Sequence, residues 1–426
     1  FDKCLSTGVY VASALPLGTK RWPTSPIQRL FSGLMIRVFE RESGRLRPDV
    51  DVNVIAFLRQ LFYFAKGYAH DCSFDRSKQA VQEFYDTERE LRSSSLNWAD
   101  ARMDLSRTRD LHFCDSPVCQ DPAGEPRFEA PQFSACSDTF GRKLQFVSDL
   151  VATEFGEFDP SVWQAKHGPG AVSDLKGDVT KYSFPSWSEK LDQVFPYADH
   201  AFINWADWSS ELDRPASNDE MPSKLLMVPK TAKGPRLIAS EPVAHQWCQQ
   251  MILRYLLAGI QKSSLRRSLS LRDQNPSRKL VLEASRSREY ATIDLSAASD
   301  RITCWIVERT FRANPSLLAA LHSSRTRFIE NGTNVPLSNE PTRLLLKKFS
   351  TMGSACTFPV QSIVFAIVCI ATILDEENRN VTLRAVRKIG RQVRVFGDDI
   401  IIPNSHFEAV CRNLTVLGLK VNHAKS

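Results

Sequence analysis

The stretch VRVFGDDIIIP, residues 393–403, decides the predicted fold. Two short apolar runs, Val393 to Phe396 and Ile400 to Ile402, have the composition of strands and are separated by Gly-Asp-Asp. The spacing predicts a β-hairpin in which Asp398 and Asp399 occupy a two-residue turn beside Gly397. Aspartates are common in exposed turns, so the tripeptide alone does not distinguish a functional site from an ordinary loop.

A further aspartate, Asp294, ends an apolar run upstream, Ala291 to Ile293, within YATIDLSAASD. A carboxylate at the end of a strand is costly unless a cation accompanies it. If this strand lies beside the hairpin, Asp294 converges with Asp398 and Asp399, and a divalent cation relieves their repulsion. The three aspartates are therefore predicted ligands of two Mg²⁺ ions about 4 Å apart, with Mn²⁺ as an alternative ion.

Basic residues that suit a leaving triphosphate lie in KLLMVPKTAKGPRLIAS, residues 224–240. The segment is predicted to form a strand, a turn at Gly234 and a second strand. Lys230, Lys233 and Arg236 would then project from or near the turn towards an anion. The alternative for the same pattern is a solvated basic turn with no ligand.

A glycine turn precedes a long apolar helix in STMGSACTFPVQSIVFAIVCIATILD, residues 350–375. Glycine allows the close backbone approach that a nucleotide or template requires, which makes Gly353 and Ser354 candidate nucleotide contacts. Thr357 and Gln361 are four residues apart and share a helix face, from which they could hydrogen-bond a ribose. The alternative is a helix cap and a polar stripe.

Five segments, taken in order, resemble the motifs of the RNA-dependent RNA polymerases that form the replicase catalytic subunit of levivirus-type RNA phages. KTAKGPR resembles motif F, DLSAASD motif A, MGSACTF motif B, FGDD motif C and LGLKVNHAK motif D, and KHGPGAVSD resembles a further replicase segment. The resemblance covers about residues 166–426.

The resemblance implies roles for individual residues. Asp294 and Asp398 would be catalytic metal ligands assisted by Asp399, and Asp300 would sense the ribose 2′-hydroxyl. Lys425 would match the motif D lysine that protonates pyrophosphate. The predicted nucleotide contacts are those already named, as follows: Lys230, Lys233, Arg236, Gly353, Ser354, Thr357 and Gln361. At Gln361 the chain departs from the family, in which many members carry asparagine.

An α+β fold is predicted, because strands and helices alternate irregularly. The resemblance implies a right-hand polymerase with helical fingers and some palm elements in residues 1–285. The antiparallel palm sheet would lie in residues 286–426, with the thumb beyond the C-terminus. The first 130 residues are predicted to be largely helical, and the prolines of residues 115–131 suggest a loop or linker. A chain lacking the thumb would not extend RNA processively.

Composition is compatible with this assignment without proving it. The 426 residues carry a formal net charge of +7, and basic residues cluster in 262–288 and 384–394, where a solvated surface is the alternative to a polyanion site. No signal peptide is recognised, and the apolar run 363–374 is too short to span a bilayer, so no membrane association is expected. Ten cysteines without a Cys-x-x-Cys pair favour a reducing compartment, the cytoplasm of a bacterial host.

The predicted reaction is RNA synthesis from NTPs on a single-stranded RNA template. The resemblance also implies host translation elongation factors and a ribosomal protein as partners. Two other classes of protein remain open. A reverse transcriptase shares the aspartates, although Gly397 and Asp300 favour RNA synthesis, and an RNA-binding protein without activity would explain the basic clusters but not acids at strand ends.

Overall fold

A computed structural model describes most of the chain in ten ranges and one further residue. They are 1–10, 25–64, 72–115, 118–120, 126–128, 137–168, 170–175, 180–202, 219–231, 234–423 and Ser426. The chain divides into two compact units. The first unit comprises 1–76 and 229–235, and the second comprises 77–228 and 236–426. The predicted boundary between fingers and palm near residue 285 stays a prediction.

The first unit is built from short helices around a small apolar core. Its helices are α1 (Asp2–Thr7), α2 (Ser32–Met35) and α3 (Val52–Phe64). The core consists of Cys4, Tyr10, Ile27, Met35, Val38, Phe39, Val54 and Leu58. Among the described residues helix formation is more limited than predicted, since 36–51, between α2 and α3, contain no helix. Of the predicted helical stretch 52–70, positions 65–70 lie outside the described residues.

The second unit contains the remaining helices, from α4, which begins in the first unit, to α14. They are α4 (Phe74–Glu90), α5 (Asp138–Phe155), α6 (Glu189–Asp192), α7 (Tyr197–His200), α8 (Val243–Lys262), α9 (Asn275–Ser287), α10 (Cys304–Phe311), α11 (Pro315–Ser324), α12 (Thr357–Glu376), α13 (Leu383–Ile389) and α14 (Phe407–Val416). The mixed helix and sheet content agrees with the predicted α+β class.

Strands are fewer and shorter. They are β1 (Val118–Gln120), β2 (Pro126–Phe128), β3 (Ser223–Thr231), β4 (Gly234–Ser240), β5 (Tyr290–Ile293), β6 (Leu295–Ser296), β7 (Phe328–Asn331), β8 (Arg343–Leu345), β9 (Arg394–Phe396), β10 (Asp399–Pro403) and β11 (Lys420–Val421). The proline-rich segment predicted as a linker contains the β1–β2 hairpin. Strand β11 consists of Lys420 and Val421 and follows helix α14, which ends at Val416.

Two sheets matter for the site. Strands β5, β10 and β9 form an antiparallel sheet in this order, as predicted for this region. Strand β6, which follows β5 in the chain, pairs with β11. The order β4-β3-β7-β8 forms a second sheet, in which β3 and β7 are parallel. The strand–turn–strand prediction for residues 224–240 is confirmed at both strands.

Helix α12 is the centre of the second unit. Its residues from Pro359 to Leu374 are buried all round, which is the pattern of a core helix. Within the described residues it is also the one helix long and apolar enough to cross a membrane by length and composition, and 94% of its most apolar window is buried inside the protein. This burial makes it a packing element, as the sequence predicted.

Candidate active site

The Gly-Asp-Asp stretch joins β9 to β10 as a tight hairpin, as predicted. Asp399 pairs with Phe396, so the two turn residues are Gly397 and Asp398. Placing Asp399 in the turn was therefore wrong by one residue, because Asp399 begins β10. Gly397 has a φ of 66°, which glycine adopts without the steric cost that a Cβ would bring, and this favours a turn at that position.

Asp294 lies beside this hairpin. Strand β5 ends at Ile293, which pairs with Ile400, so Asp294 and Asp399 are the next residues along two adjacent strands. Partial burial raises the pKa of the Asp399 carboxyl, and the negative charges of Asp398 and Asp294 raise it further. The structure therefore brings together the three carboxylates that the sequence singled out.

The C-terminal segment of the described chain holds Asp294 in place. The Nδ2 atom of Asn422 donates a 2.8 Å hydrogen bond to Asp294 Oδ2, and the Asn422 backbone N–H donates to the Asp294 carbonyl at 2.8 Å. The Asp294 N–H donates to Ser426 Oγ at 3.0 Å. Sequence reasoning missed Asn422, which directly follows β11, a two-residue strand of Lys420 and Val421 that gives no apolar signal.

A second missed residue, Gln274, supports Asp399 from the other side. Its Nε2 donates a 3.1 Å hydrogen bond to Asp399 Oδ2, which lowers the pKa of that carboxyl against the larger raising effects. Gln274 immediately precedes helix α9, and this helix forms one wall of a cavity of about 580 Å³. Asp294 and Asp399 line the cavity, so it gives a ligand access to two of the carboxylates.

The carboxylates suit a hard cation but do not form a finished cage. Among the residues that the structure describes, no group of three or more aspartate, glutamate, histidine or cysteine side chains is arranged to hold a metal ion. Mg²⁺ typically takes one or two carboxylates and completes its shell with water and substrate phosphates. Asp294 and Asp399, adjacent on neighbouring strands, supply the two carboxylates that such an ion can take, with Asp398 next to them in the turn.

Helix α12 packs against the β9–β10 hairpin. The Gly397 N–H donates a 3.0 Å hydrogen bond to Ser362 Oγ, and the rings of Phe358 and Phe396 meet edge to face at 5.1 Å. Gln361 lies on the same side, with its Nε2 3.4 Å from the position of a Cβ on Gly397, and its buried Oε1 has no hydrogen-bond partner among the described residues. Gln361, a predicted ribose contact, therefore packs under the turn. Ser362 and Phe358 were missed.

The loop before α12, which contains Gly353 and Ser354, is held in place by contacts with other residues of the protein. A Cβ on Gly353 would lie 1.8 Å from the Ala239 carbonyl oxygen, so glycine permits a close approach to strand β4 here, and the predicted nucleotide contact stays a prediction. Thr357 is buried, and its hydroxyl donates to the Thr351 carbonyl at 2.7 Å and also contacts Ser350 Oγ. Ser354 Oγ accepts from the Cys356 N–H. These contacts tie Thr357 to the loop, and its role as a ribose contact stays a prediction.

Asp300 has a partner that the sequence did not reveal. Its Oδ1 lies 3.0 Å from the ammonium of Lys348, whose side chain is completely buried. The same ammonium lies 3.4 Å from Glu88 and 3.6 Å from the centre of the Phe84 ring. Asp300 itself retains some exposure, with 18% of its side chain accessible. One carboxylate oxygen is thus anchored to a buried cation.

The predicted basic residues are only partly described. Lys230 is exposed on β3 and Arg236 is exposed on β4. Lys233 and Lys425 lie outside the described residues. The proposed triphosphate contacts and the proposed pyrophosphate acid therefore stay predictions.

Known proteins resemble the part of the chain that contains these site residues. Residues 147–426 match the family described as RNA replicase, beta-chain. The RNA-directed RNA polymerase subunit beta of Escherichia virus Qbeta is 28% identical over 249 residues, which cover 58% of this chain and 38% of that protein. The corresponding beta chains of Enterobacteria phage fr and Escherichia phage MS2 are 28% and 27% identical, and the match covers 47% of this chain and 32% of each relative.

The chain spans less than two fifths of the length of these curated relatives. A solved structure titled "RdRp complex" aligns with a TM-score of 0.40 and 10% identity, covering 73% of this chain and 28% of that one.

Proposed function

Because the chain belongs to the RNA replicase beta-chain family, we propose that it catalyses template-directed synthesis of RNA from NTPs. One observation supports this proposal above the others. The register of β5 against β10 places Asp294 next to Asp399 at the end of the sheet, beside Asp398 in the turn. Oxygen ligands clustered in this way serve an enzyme that handles triphosphates through divalent ions.

The proposed chemistry is attack of a 3′-hydroxyl on the α-phosphate of an NTP, with release of pyrophosphate. Asp294, Asp398 and Asp399 would hold two Mg²⁺ ions, or Mn²⁺ in their place. Bound there, the ions supply activation of the hydroxyl and stabilisation of the leaving pyrophosphate. Asn422 and Gln274 keep two of the carboxylates oriented through the hydrogen bonds described above. This fixed geometry reduces the reorganisation needed when substrate arrives.

Further residues have proposed roles in binding the nucleotide. Lys230, Lys233 and Arg236 would neutralise the triphosphate, and Asp300 would accept a hydrogen bond from the ribose 2′-hydroxyl. Lys425 would protonate the pyrophosphate. The resemblance to phage replicases carries these roles, and the anchoring of Asp300 by Lys348 suits a carboxylate that must present one oxygen in a fixed direction.

We also propose a domain arrangement, in which residues 286–426 form a palm around the β5-β10-β9 sheet. Residues 1–285 contribute fingers and some palm elements. Single-stranded RNA would be the template, and host translation elongation factors and a ribosomal protein would be partners in the cytoplasm of a bacterial host. These partners rest on family resemblance alone.

Nucleotide incorporation tests the proposal. The purified chain is incubated with an RNA template, Mg²⁺ and either a labelled NTP or a labelled dNTP. We expect incorporation of the NTP, and its loss in Asp398→Asn, which keeps the side-chain volume and removes a charge. Asp199→Asn is the matched control, because Asp199 is exposed on α7. Preferred use of dNTP would instead indicate a reverse transcriptase, and binding of RNA without incorporation would indicate a non-catalytic protein.

A further inference from the structure

Three arginines converge on the surface near the hairpin. Arg267, Arg391 and Arg394 line a cavity of about 340 Å³. They come from three separate segments: the 3-10 turn Ser264–Arg267, the loop after α13, and strand β9. A parallel bridge between Leu269 and Val395 brings two of the segments together. The fold therefore assembles this cluster from residues distant in sequence.

None of the three arginines forms an ion pair with a residue in the described part of the chain, in contrast to two basic residues nearby. Arg387 pairs with Glu154 at 3.4 Å, and Arg379 pairs with Glu377 at 3.0 Å. By contrast, burial and the positive charge of Arg267 lower the pKa of Arg394, and no carboxylate offsets them. Like charges held together without an acid are unfavourable unless an anion joins them.

The cluster has a defined position relative to the carboxylates. Arg394 is paired with Ile401, and Ile401 is two residues from Asp399, so Arg394 and Asp399 lie on the same face of the sheet. Two residues along a strand correspond to about 7 Å. A ligand that spans this face between Asp399 and β9 would contact Arg394.

The basic surface continues beyond the three arginines. A second cavity of about 800 Å³ shares Arg391 with the first. Its other basic lining residues are Arg379, Arg384, Arg387 and Lys388. Two adjoining cavities that are both lined by positive charges suit a ligand with repeated negative charges better than they suit a single small anion. Guanidinium groups also match phosphate oxygens in geometry.

We propose that Arg267, Arg391 and Arg394 bind backbone phosphates of the RNA strand that reaches the Asp294–Asp399 carboxylates. This inference deepens the proposed function and rests on it. Because the contacts are to phosphate, they hold the strand in place without reading its bases. The site is separate from the predicted triphosphate contacts Lys230, Lys233 and Arg236.

Binding of RNA in the absence of nucleotides tests the site. Fluorescence anisotropy with a labelled single-stranded RNA oligonucleotide, over a series of NaCl concentrations, gives the affinity and its salt dependence. Each of Arg267→Gln, Arg391→Gln and Arg394→Gln should weaken binding severalfold and reduce the slope of log K against log[NaCl] by about 0.7. The triple variant should reduce the slope by about 2.

Arg412→Gln is the matched control, because Arg412 is an exposed arginine that pairs with Glu376 at 3.3 Å. Its affinity and slope should equal those of the wild type. Thermal unfolding checks the fold, and Arg394→Gln should not lower the melting temperature, since it removes a repulsion. Unchanged slopes in the three variants and the triple variant would overturn the proposal. So would a rise in the KM for NTP with unchanged RNA affinity, which would indicate a mononucleotide site.

The two proposals fail in different ways. A wild-type chain that binds RNA through the arginines and incorporates no nucleotide contradicts the proposed function and leaves the phosphate site standing. A chain that incorporates NTP with the same RNA affinity in the triple variant contradicts the phosphate site alone.

Discussion

The hydroxyl of Ser362 accepts a 3.0 Å hydrogen bond from the backbone N–H of Gly397. Ser362 also donates to the Phe358 carbonyl one turn earlier in α12. The most buried helix of the protein is thereby tied to the turn that carries Asp398. Because Gly397 is itself buried, its N–H has no access to water as an alternative partner.

Ser362→Ala should destabilise the protein and disturb the hairpin. The substitution leaves a buried N–H unsatisfied, which costs about 1–3 kcal/mol. Ser148→Ala is the control, because buried Ser148 donates to the Leu144 carbonyl within its own helix and accepts no hydrogen bond from another element in the described part of the chain. Urea unfolding should show the larger loss for Ser362→Ala, and NTP incorporation should fall only in that variant. If the two variants lost equal stability and equal activity, the hydrogen bond between Ser362 and Gly397 would have no particular role in supporting the hairpin.

Gly353→Ala should be strongly destabilising. The added Cβ would lie 1.8 Å from the Ala239 carbonyl oxygen, a backbone atom that cannot move without displacing β4. Overpacking of this kind costs about 1–3 kcal/mol or more. Gly33→Ala serves as the comparison, since a Cβ there meets nothing within 4 Å. Thermal unfolding should show a marked drop in melting temperature for the first variant and none for the second.

The site illustrates what a single sequence can predict. The hairpin and the strand before Asp294 were identified because alternating composition and a glycine are local signals. Their convergence required an assumption about strand order, which the β5–β10 pairing supports. The one-residue error at Asp399 arose because the turn register depends on which residues pair, and composition does not show pairing.

Other features were beyond local reasoning. Lys348 lies 48 residues from Asp300, and nothing in the apolar and basic stretch around it marks a partner for that acid. Gly353 was correctly identified as a point of close approach, but the sequence could not tell that the approaching group is Ala239. The same limit explains why the contacts of Asn422 and Gln274 with the aspartates were not predicted. Each contact joins segments that only the tertiary fold brings together.

Asp399→Asn should change stability in a pH-dependent way. Burial, Asp398 and Asp294 raise the pKa of Asp399 in the folded chain, so the folded state favours the protonated form. The stability from this group is fully present below the unfolded pKa of about 3.9 and is lost as pH rises through the folded pKa. Without divalent ions, the variant should therefore unfold at a slightly higher temperature than the wild type at neutral pH, and the difference should vanish in acid.

The size of that effect is small because Asp399 is exposed. Adding Mg²⁺ at neutral pH should raise the melting temperature of the wild type more than that of Asp399→Asn, since the ion offsets the repulsion that the substitution removes. A variant that is less stable than the wild type at neutral pH in metal-free buffer would contradict the assigned electrostatics.

Asp300→Asn should weaken selection for ribose. Asparagine keeps the volume and one oxygen that can accept from Lys348, but it removes the charge that strengthens a hydrogen bond from a 2′-hydroxyl. A site built to bond a hydroxyl rejects an analogue without it, because its polar group is left unpaired. The ratio of NTP to dNTP incorporation should therefore fall by about tenfold or more. Steady-state kinetics with both substrates on one RNA template gives the ratio.

Glu88→Gln is the control that separates selection from stability. Glu88 is the second carboxylate near the buried Lys348 ammonium, at 3.4 Å, and its Oε1 accepts from the Lys348 N–H at 3.2 Å. Removing either negative charge leaves the buried lysine with one acid, so each variant should lose about 1–3 kcal/mol of unfolding free energy. Only Asp300→Asn should change the NTP to dNTP ratio. A similar change in both variants would mean that Asp300 acts through the packing of Lys348 and makes no contact with the sugar.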